Sequence, residues 1–304
     1  MSELYNPLSS HLKSVFGCKV FKVSIDIGLP CPNRRGGARG GCSFCVESTL
    51  VPKTFEAGMG VREQLISGIE YVGKRYKAER FIAYFQQGTN TNAPVGVLRG
   101  YFREALIPEV AAIAVGTRPD CLDDATFGLL SELNEERPLW LELGLQSAND
   151  RTLSRINRGH TAEDFRGAVI RAAARGIKVC AHVIIGLPGE READYLKTID
   201  FLAGLPVWGV KFHQLQIVKG SHMEKEWRRG EIVTLSLDEY ADAVVRCLER
   251  LPQDVVIHRL CGDVPSELLS SPVWGANKFK VIEKITGLLR ERNTRQGAKT
   301  TGAP

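Results

Sequence analysis

The stretch VFKVSIDIGLPCPNRRGGARGGCSFC (Val20–Cys45) joins a strand to a loop rich in thiols. Its first nine residues, Val20–Gly28, are mostly β-branched or apolar, the composition of a buried strand. The rest holds Cys31, Cys42 and Cys45 at C-x10-C-x2-C spacing, with glycines and arginines between the first two. Outward from it, apolar runs recur at RFIAYF (80–85), AAIAVG (111–116), LWLELGL (139–145), KVCAHVIIG (178–186) and GVKFHQLQIV (209–218). Helical patterns separate them at 61–76, near 95–106, and at 123–137, 162–176 and 190–205. A further strand, DVVIHRL (254–260), follows a helix around 238–251. Near-continuous apolar strands alternating with helices indicate a parallel sheet covered by helices. The sequence therefore predicts an α/β fold, a partial (β/α)6 TIM-like barrel with a C-terminal strand and a basic helical extension. The expected divisions are a lead-in over 1–18, the barrel over 19–220, and an extension packing on it over 221–304. A basic tail is expected from about 287.

The 304 residues are 43% hydrophobic and 25% charged, which excludes a disordered or fibrous chain. No stretch approaches the roughly 18 apolar residues of a membrane span, and the N-terminus lacks a signal-peptide core. The expectation is a cytoplasmic protein with no membrane partner, its eight cysteines reduced or metal-bound. Cys180 and Cys247 sit in apolar stretches and read as buried thiols. The formal net charge of +5 is concentrated at the end: from Asn277 onward seven Lys/Arg stand against two Glu. Such a terminus reads either as a phosphate-binding surface or as a solvated end.

In parallel α/β folds ligands collect at the C-terminal ends of the strands. The thiol loop obeys this rule, directly following the first strand. Cys42 and Cys45 can reach one metal from a tight turn, and the glycines of 36–41 let Cys31 fold back to it. Soft thiolates select zinc or an iron–sulfur cluster. A structural zinc site needs a fourth ligand, yet Cys18 stands before the strand, at its opposite end. A [4Fe–4S] cluster held by three thiolates keeps one iron open.

Three cysteines after the first strand of a partial barrel resemble the radical S-adenosylmethionine (SAM) superfamily. The long first spacing departs from that superfamily's usual C-x3-C-x2-C. It resembles a bacterial subgroup with the loop CPNRDG…GGC-FC, whose core is similar to the Elongator catalytic subunit and to oxygen-independent coproporphyrinogen oxidase. The resemblance runs from about Phe16 to Gly297. It implies a [4Fe–4S] cluster on Cys31, Cys42 and Cys45 whose open iron chelates SAM. The loop after strand two would receive the SAM amino group at Gly88, Thr89 and Asn90. LELGLQSANDRTLSRINRGHT (141–161) resembles a GVQS…NRGHT segment and implies that Gln146 and Arg158 hold the SAM ribose and carboxylate. A guanidinium is well shaped for the latter. HVIIGLPGE (182–190) implies adenine contacts at Ile185 and Gly186, and Glu190 also reads as an acid opening the next helix.

The catalytic residue is left open, with His182, Cys261 and Glu142 as candidates. Glu142 lies in an otherwise apolar strand and so is expected to face the barrel interior with a partner. Substrate candidates are His213, Gln214, Lys219, Arg259 and Asp263, the last two flanking Cys261 in a segment resembling RLTGD. The implied chemistry is reductive SAM cleavage to a 5′-deoxyadenosyl radical, driven by an external one-electron reductant of flavodoxin or ferredoxin type. The subgroup implies tRNA as substrate, engaged through the basic C-terminus, with a wobble-uridine side chain converted from carboxymethylaminomethyl to aminomethyl. The alternatives are a radical SAM enzyme acting on a small metabolite and a non-enzymatic zinc or iron–sulfur protein.

Overall fold

The computed structural model describes residues 3–34, 40–46 and 58–300. A lead-in helix α1 (Leu8–Phe16) precedes β1 (Val20–Ile25), and a short 3-10 turn (Pro32–Arg34) opens the thiol loop. Then follow α2 (Val61–Tyr76), β2 (Arg80–Phe85), α3 (Val95–Glu104), β3 (Val110–Thr117), α4 (Asp124–Glu136) and β4 (Leu139–Gln146). After two helices, α5 (Asp150–Arg155) and α6 (Ala162–Ala173), come β5 (Lys178–Ile185), α7 (Glu192–Ala203) and β6 (Gly209–Gln214). The remainder is β7 (Ile217–Val218), α8 (His222–Arg228), α9 (Leu237–Arg250), β8 (Val256–Arg259), β9 (Leu269–Ser271) and α10 (Lys278–Glu291).

Seven parallel strands form one sheet in the order β1-β2-β3-β4-β5-β6-β8. The sheet curls into a half-barrel, as its interior contacts demonstrate. Lys22 on β1 and Lys211 on β6 both reach the Glu142 carboxylate on β4. Flat, β1 and β6 would stand about 24 Å apart. The apolar outer face packs against the helices in a single large core. At the N-terminal end the bore is plugged by Ile82, Tyr84, Ala112, Ala114, Trp140 and Cys180, closed from below by Leu12 of α1.

Two expectations need correction. The strand over 209–218 breaks at Gln214, and Ile217–Val218 pairs antiparallel with β9 in a separate two-stranded sheet. The division at 220 also cuts through the sheet, because β8 is its seventh strand beside β6. The basic terminus is drawn onto the fold. Lys278, Lys284, Arg292 and Lys299 form ion pairs with Asp263, Asp238, Asp242 and Glu249. Leu289 and Gln296 are buried. Among the described residues no helix is long and apolar enough to cross a membrane.

Candidate functional site

A cavity of about 520 Å³ opens at the C-terminal ends of the strands. Its wall includes Cys31, Cys42, Cys45, Gly88, Thr89, Gln146 and Arg158. His182, Glu142, His213, Gln214, Arg259 and Asp263 also line it. Residues scattered over more than two hundred positions converge here because each follows, or faces inward from, a parallel strand.

The thiol loop is fastened to the segment after α5. Ser43 N–H donates to the Ile156 carbonyl at 2.9 Å. The Asn157 amide donates to the Gly41 carbonyl at 2.7 Å, and the Asn33 amide to the Asn157 carbonyl at 2.6 Å. Gly159 has φ +74°, and a Cβ there would fall 2.6 Å from Asn33 Oδ1, so only glycine lets the strands of this clamp meet. Thr161 then caps α6, its hydroxyl accepting from Asp164 N–H. The NRGHT segment is thus a clamp as well as a candidate binding element. Of the glycine-rich stretch, positions 36–39 lie outside the described residues.

Donors surround the sulfurs. Arg158 Nη1 stands 3.5 Å from Cys42 Sγ, Asn33 Nδ2 3.6 Å from the same atom, and Arg34 Nη2 3.4 Å from Cys45 Sγ. Burial pushes the Cys45 thiol up, with Arg34 opposing. The three thiols share the wall, although among the described residues no three His, Cys, Asp or Glu side chains are gathered as closely as a single ion requires. Thiols with cationic and amide donors on their sulfurs fit a cluster, whose potential such donors tune. Thr89 Oγ1 and Arg158 Nε are buried without a hydrogen-bond partner, a hydroxyl and a cation facing a cavity of ligand size. That combination fits an amino-acid zwitterion such as the one SAM carries.

Arg158 is held by Gly144, whose carbonyl accepts from Nη2 at 2.9 Å. Arg118, buried at the end of β3, donates to the Arg158 carbonyl at 2.8 Å and forms a two-pronged pair with Asp120. Gln146 has φ +73°, a strained conformation for a residue with a side chain, and it coincides with an irregularity in the β4–β5 register.

Below these groups lies a polar hub. Glu142 accepts from Lys22, Lys211 and, at 2.8 Å each, from Tyr84 Oη and His182 Nε2. Burial would raise its pKa, but Lys211 and Lys22 outweigh burial and hold it well below the carboxylate range. Burial pushes Lys211 down to about 8, against the pull of Glu142. Burial and the Lys211 charge push His182 down to about 4, so it is neutral at physiological pH.

Several candidates stand elsewhere. Ile185 is turned into the helix-side core, and by strand alternation Ile184 lines the cavity instead. Gly186 also lies off the wall; at φ +92° a Cβ there would press on Leu235. Asn90 is likewise off the wall, its amide engaged by the Phe85 and Gly116 carbonyls. Lys219 holds the β7–β9 region through the Glu267 carbonyl at 2.6 Å. Cys261 is packed in the outer core, where burial pushes its thiol up to about 11, and it does not face the cavity as a hydrogen donor would. Sequence reading missed Lys22, Tyr84, Arg118 and Lys211. Alternation within β1 and β6 carried a signal, since a lysine two residues from another polar residue marks an inward-facing row.

The Radical SAM superfamily profile matches residues 33–202, and the Radical SAM C-terminal domain profile matches residues 207–291. The uncharacterized protein YtqA of Bacillus subtilis is 41% identical over 299 residues, 96% of this chain and 92% of that protein. The tRNA uridine(34) acetyltransferase of Methanocaldococcus infernus is 26% identical over 180 residues, 57% of this chain and 32% of that protein. Among solved structures, the archaeal Methanocaldococcus infernus Elp3 superposes with a TM-score of 0.72 at 17% identity, covering 91% of this chain. This chain spans 64% of that one.

Proposed function

This chain belongs to the radical SAM superfamily, and from that premise we propose that it acts on the wobble uridine of tRNA, converting a carboxymethylaminomethyl side chain to aminomethyl. Members of the family use a [4Fe–4S] cluster and SAM and draw on an external one-electron reductant. When bound, these groups would supply a 5′-deoxyadenosyl radical that takes a hydrogen atom from the carboxymethyl carbon. Loss of one further electron, back to the cluster, and addition of water would break the C–N bond and release the two carbons as glyoxylate, while the protein supplies binding and orientation. In this reading Cys31, Cys42 and Cys45 hold the cluster. Gly88 and Thr89 receive the SAM amino group, Arg158 its carboxylate and Gln146 its ribose. Only glycine fits position 88, where a Cβ would lie 2.2 Å from the Leu29 carbonyl oxygen. Ile184 replaces Ile185 as the apolar wall beside adenine. Flavodoxin or ferredoxin is the proposed reductant.

The observation that carries the tRNA reading is the alignment of 57% of this chain with a tRNA uridine(34) acetyltransferase. The half-barrel adds support, since it leaves its C-terminal side open to a large substrate. The C-terminal charge adds less than the sequence suggests, because four of its seven cations are ion-paired. Lys280, Arg290 and Arg295 are the cations of that segment offered to phosphates. Nucleoside mass spectrometry of tRNA from a deletion strain, beside its parent, tests the proposal. Carboxymethylaminomethyl-uridine should accumulate at the expense of the aminomethyl form and its derivatives. An unchanged profile eliminates the tRNA reading and leaves a small metabolite as the substrate.

A further inference from the structure

The cavity floor holds more positive than negative charge. Lys22 and Lys211 share one carboxylate, Glu142. Arg259, at the end of β8, is an exposed side chain that lines the same cavity. Among the described residues no carboxylate lies within ion-pair distance of it. Asp263, also on the wall, pairs with Lys278 at 3.8 Å. The imidazoles on the wall, His182 and His213, and His258 buried near Glu142 add no charge: burial pushes His182 to about 4, His258 to about 3, and His213 well below its ordinary value. Lys22, Lys211 and Arg259 thus stand as three cations against the one carboxylate of Glu142.

The neighbouring polar groups face the same deficit. His213 follows Lys211 by two residues on β6 and therefore points the same way. Its Nε2 is buried without a hydrogen-bond partner, and its ring lies 5.5 Å from that of His182. The buried ring nitrogen on β6 requires a partner, and the guanidinium on the adjacent strand β8, exposed and without a carboxylate, stands free to share it. The buried position of His213 Nε2 decides which partner they share. RNA phosphates run along the outside of a folded substrate, whereas the bore of a half-barrel admits only a slender side chain. A planar guanidinium matches a carboxylate in two-pronged fashion.

We propose that the β6–β8 wall is a carboxylate-recognition site, in which Arg259 pairs with a substrate carboxylate and His213 Nε2–H donates to it. Lys211, already answered by Glu142, contributes field and no direct bond. The inference rests on the tRNA reading, because the carboxymethylaminomethyl group is the part of that substrate ending in a carboxylate. Arg259 then determines specificity: substrate retains the carboxylate and product has lost it, so product is released from the same wall.

The test uses cluster-loaded protein with SAM, kept oxidised so that no turnover occurs. Binding is measured for two anticodon stem-loops that differ only in carrying carboxymethylaminomethyl or aminomethyl on the wobble uridine, and for the free carboxymethylaminomethyl-uridine nucleoside. Wild type should prefer the carboxylate-bearing stem-loop by roughly ten- to a hundredfold. Arg259→Gln should reduce that preference to about threefold or less, Arg259→Lys should retain part of it, and melting temperatures should show both variants folded. An undiminished preference in Arg259→Gln overturns the proposal. Equal weakening of both stem-loops also overturns it, because Arg259 would then be reading phosphate, and so does a tenfold loss of SAM affinity, because the cation would then serve the cofactor. If wild type binds neither stem-loop but binds the nucleoside with the same dependence on Arg259, the tRNA reading fails and the carboxylate site stands.

Discussion

Gly144 shows how one missing side chain organises the site. A Cβ at this position would lie 2.6 Å from both Arg158 Nη2 and Gln146 Nε2. Its carbonyl meanwhile accepts from Arg158 and contacts His160 Nε2 at 2.9 Å. Gly144→Ala should therefore displace the two residues proposed to hold SAM while leaving the strand paired. SAM affinity, measured by equilibrium dialysis on cluster-loaded protein, should fall roughly tenfold or more. An unchanged affinity would mean that Arg158 and Gln146 do not hold the cofactor. That the cysteines and Arg158 would line one cavity was legible in the sequence because short spacings and a local motif carry them. Lys22, Lys211 and Arg118 were not. An inward lysine is intelligible only once its partner is known, and Glu142 lies 120 residues from Lys22. Gly144 itself looked like any glycine in a strand, since its meaning depends on a guanidinium fourteen residues ahead.

The strands and helices were readable because each is an apolar run with its own period, and Thr161, Ser236 and Asp123 cap their helices as their sequence positions suggest. The turn from β5 to α7 reads differently in space. Glu190 looked like a first-turn acid for α7, but Arg191 takes the N-cap position and the Glu190 carboxylate turns inward to accept from the Ser147 hydroxyl. Burial pushes its pKa up to about 7, with Ser147 and Thr152 opposing. The raised value fixes the sign of the pH dependence. Folding favours the protonated acid, so its contribution is complete below the ordinary carboxylate pKa of about 4.3 and is lost as pH rises through about 7. Thermal melts between about pH 5 and about pH 8 should show wild type losing stability relative to Glu190→Gln as pH increases. Parallel curves would place Glu190 in water and remove the inward turn from the description of this loop.

At the scale of the molecule, the ends of the chain close the fold where the sequence left open a phosphate-binding surface or a solvated end. Gln296 is 2% exposed. Its Oε1 accepts from Asn6 N–H at 2.9 Å, and its Nε2 donates to the carbonyls of Pro252 and Val255 at 2.6 and 2.8 Å. Asn6 in turn accepts from Ile257 N–H on β8 at 2.7 Å. One amide thus fastens the N-terminal segment and the end of the chain to the last strand of the sheet, the strand that carries Arg259 into the cavity. This was illegible because a glutamine in a basic, polar run has the composition of a solvated terminus; only the carbonyls around it, from a loop some forty residues earlier, give it work. Gln296→Ala leaves one N–H and two carbonyls unanswered and should cost about 2 kcal/mol, read as a lower denaturant midpoint with an unchanged slope. Gln296→Glu should cost more, because a carboxylate would face the Pro252 and Val255 carbonyls. The loss should extend to the site, since a loosened β8 carries Arg259 away from His213, and any preference for a carboxylate-bearing substrate should fall with it. Full stability in Gln296→Ala would show that the two termini are independent of the barrel, and truncation from 287 would then be a harmless operation.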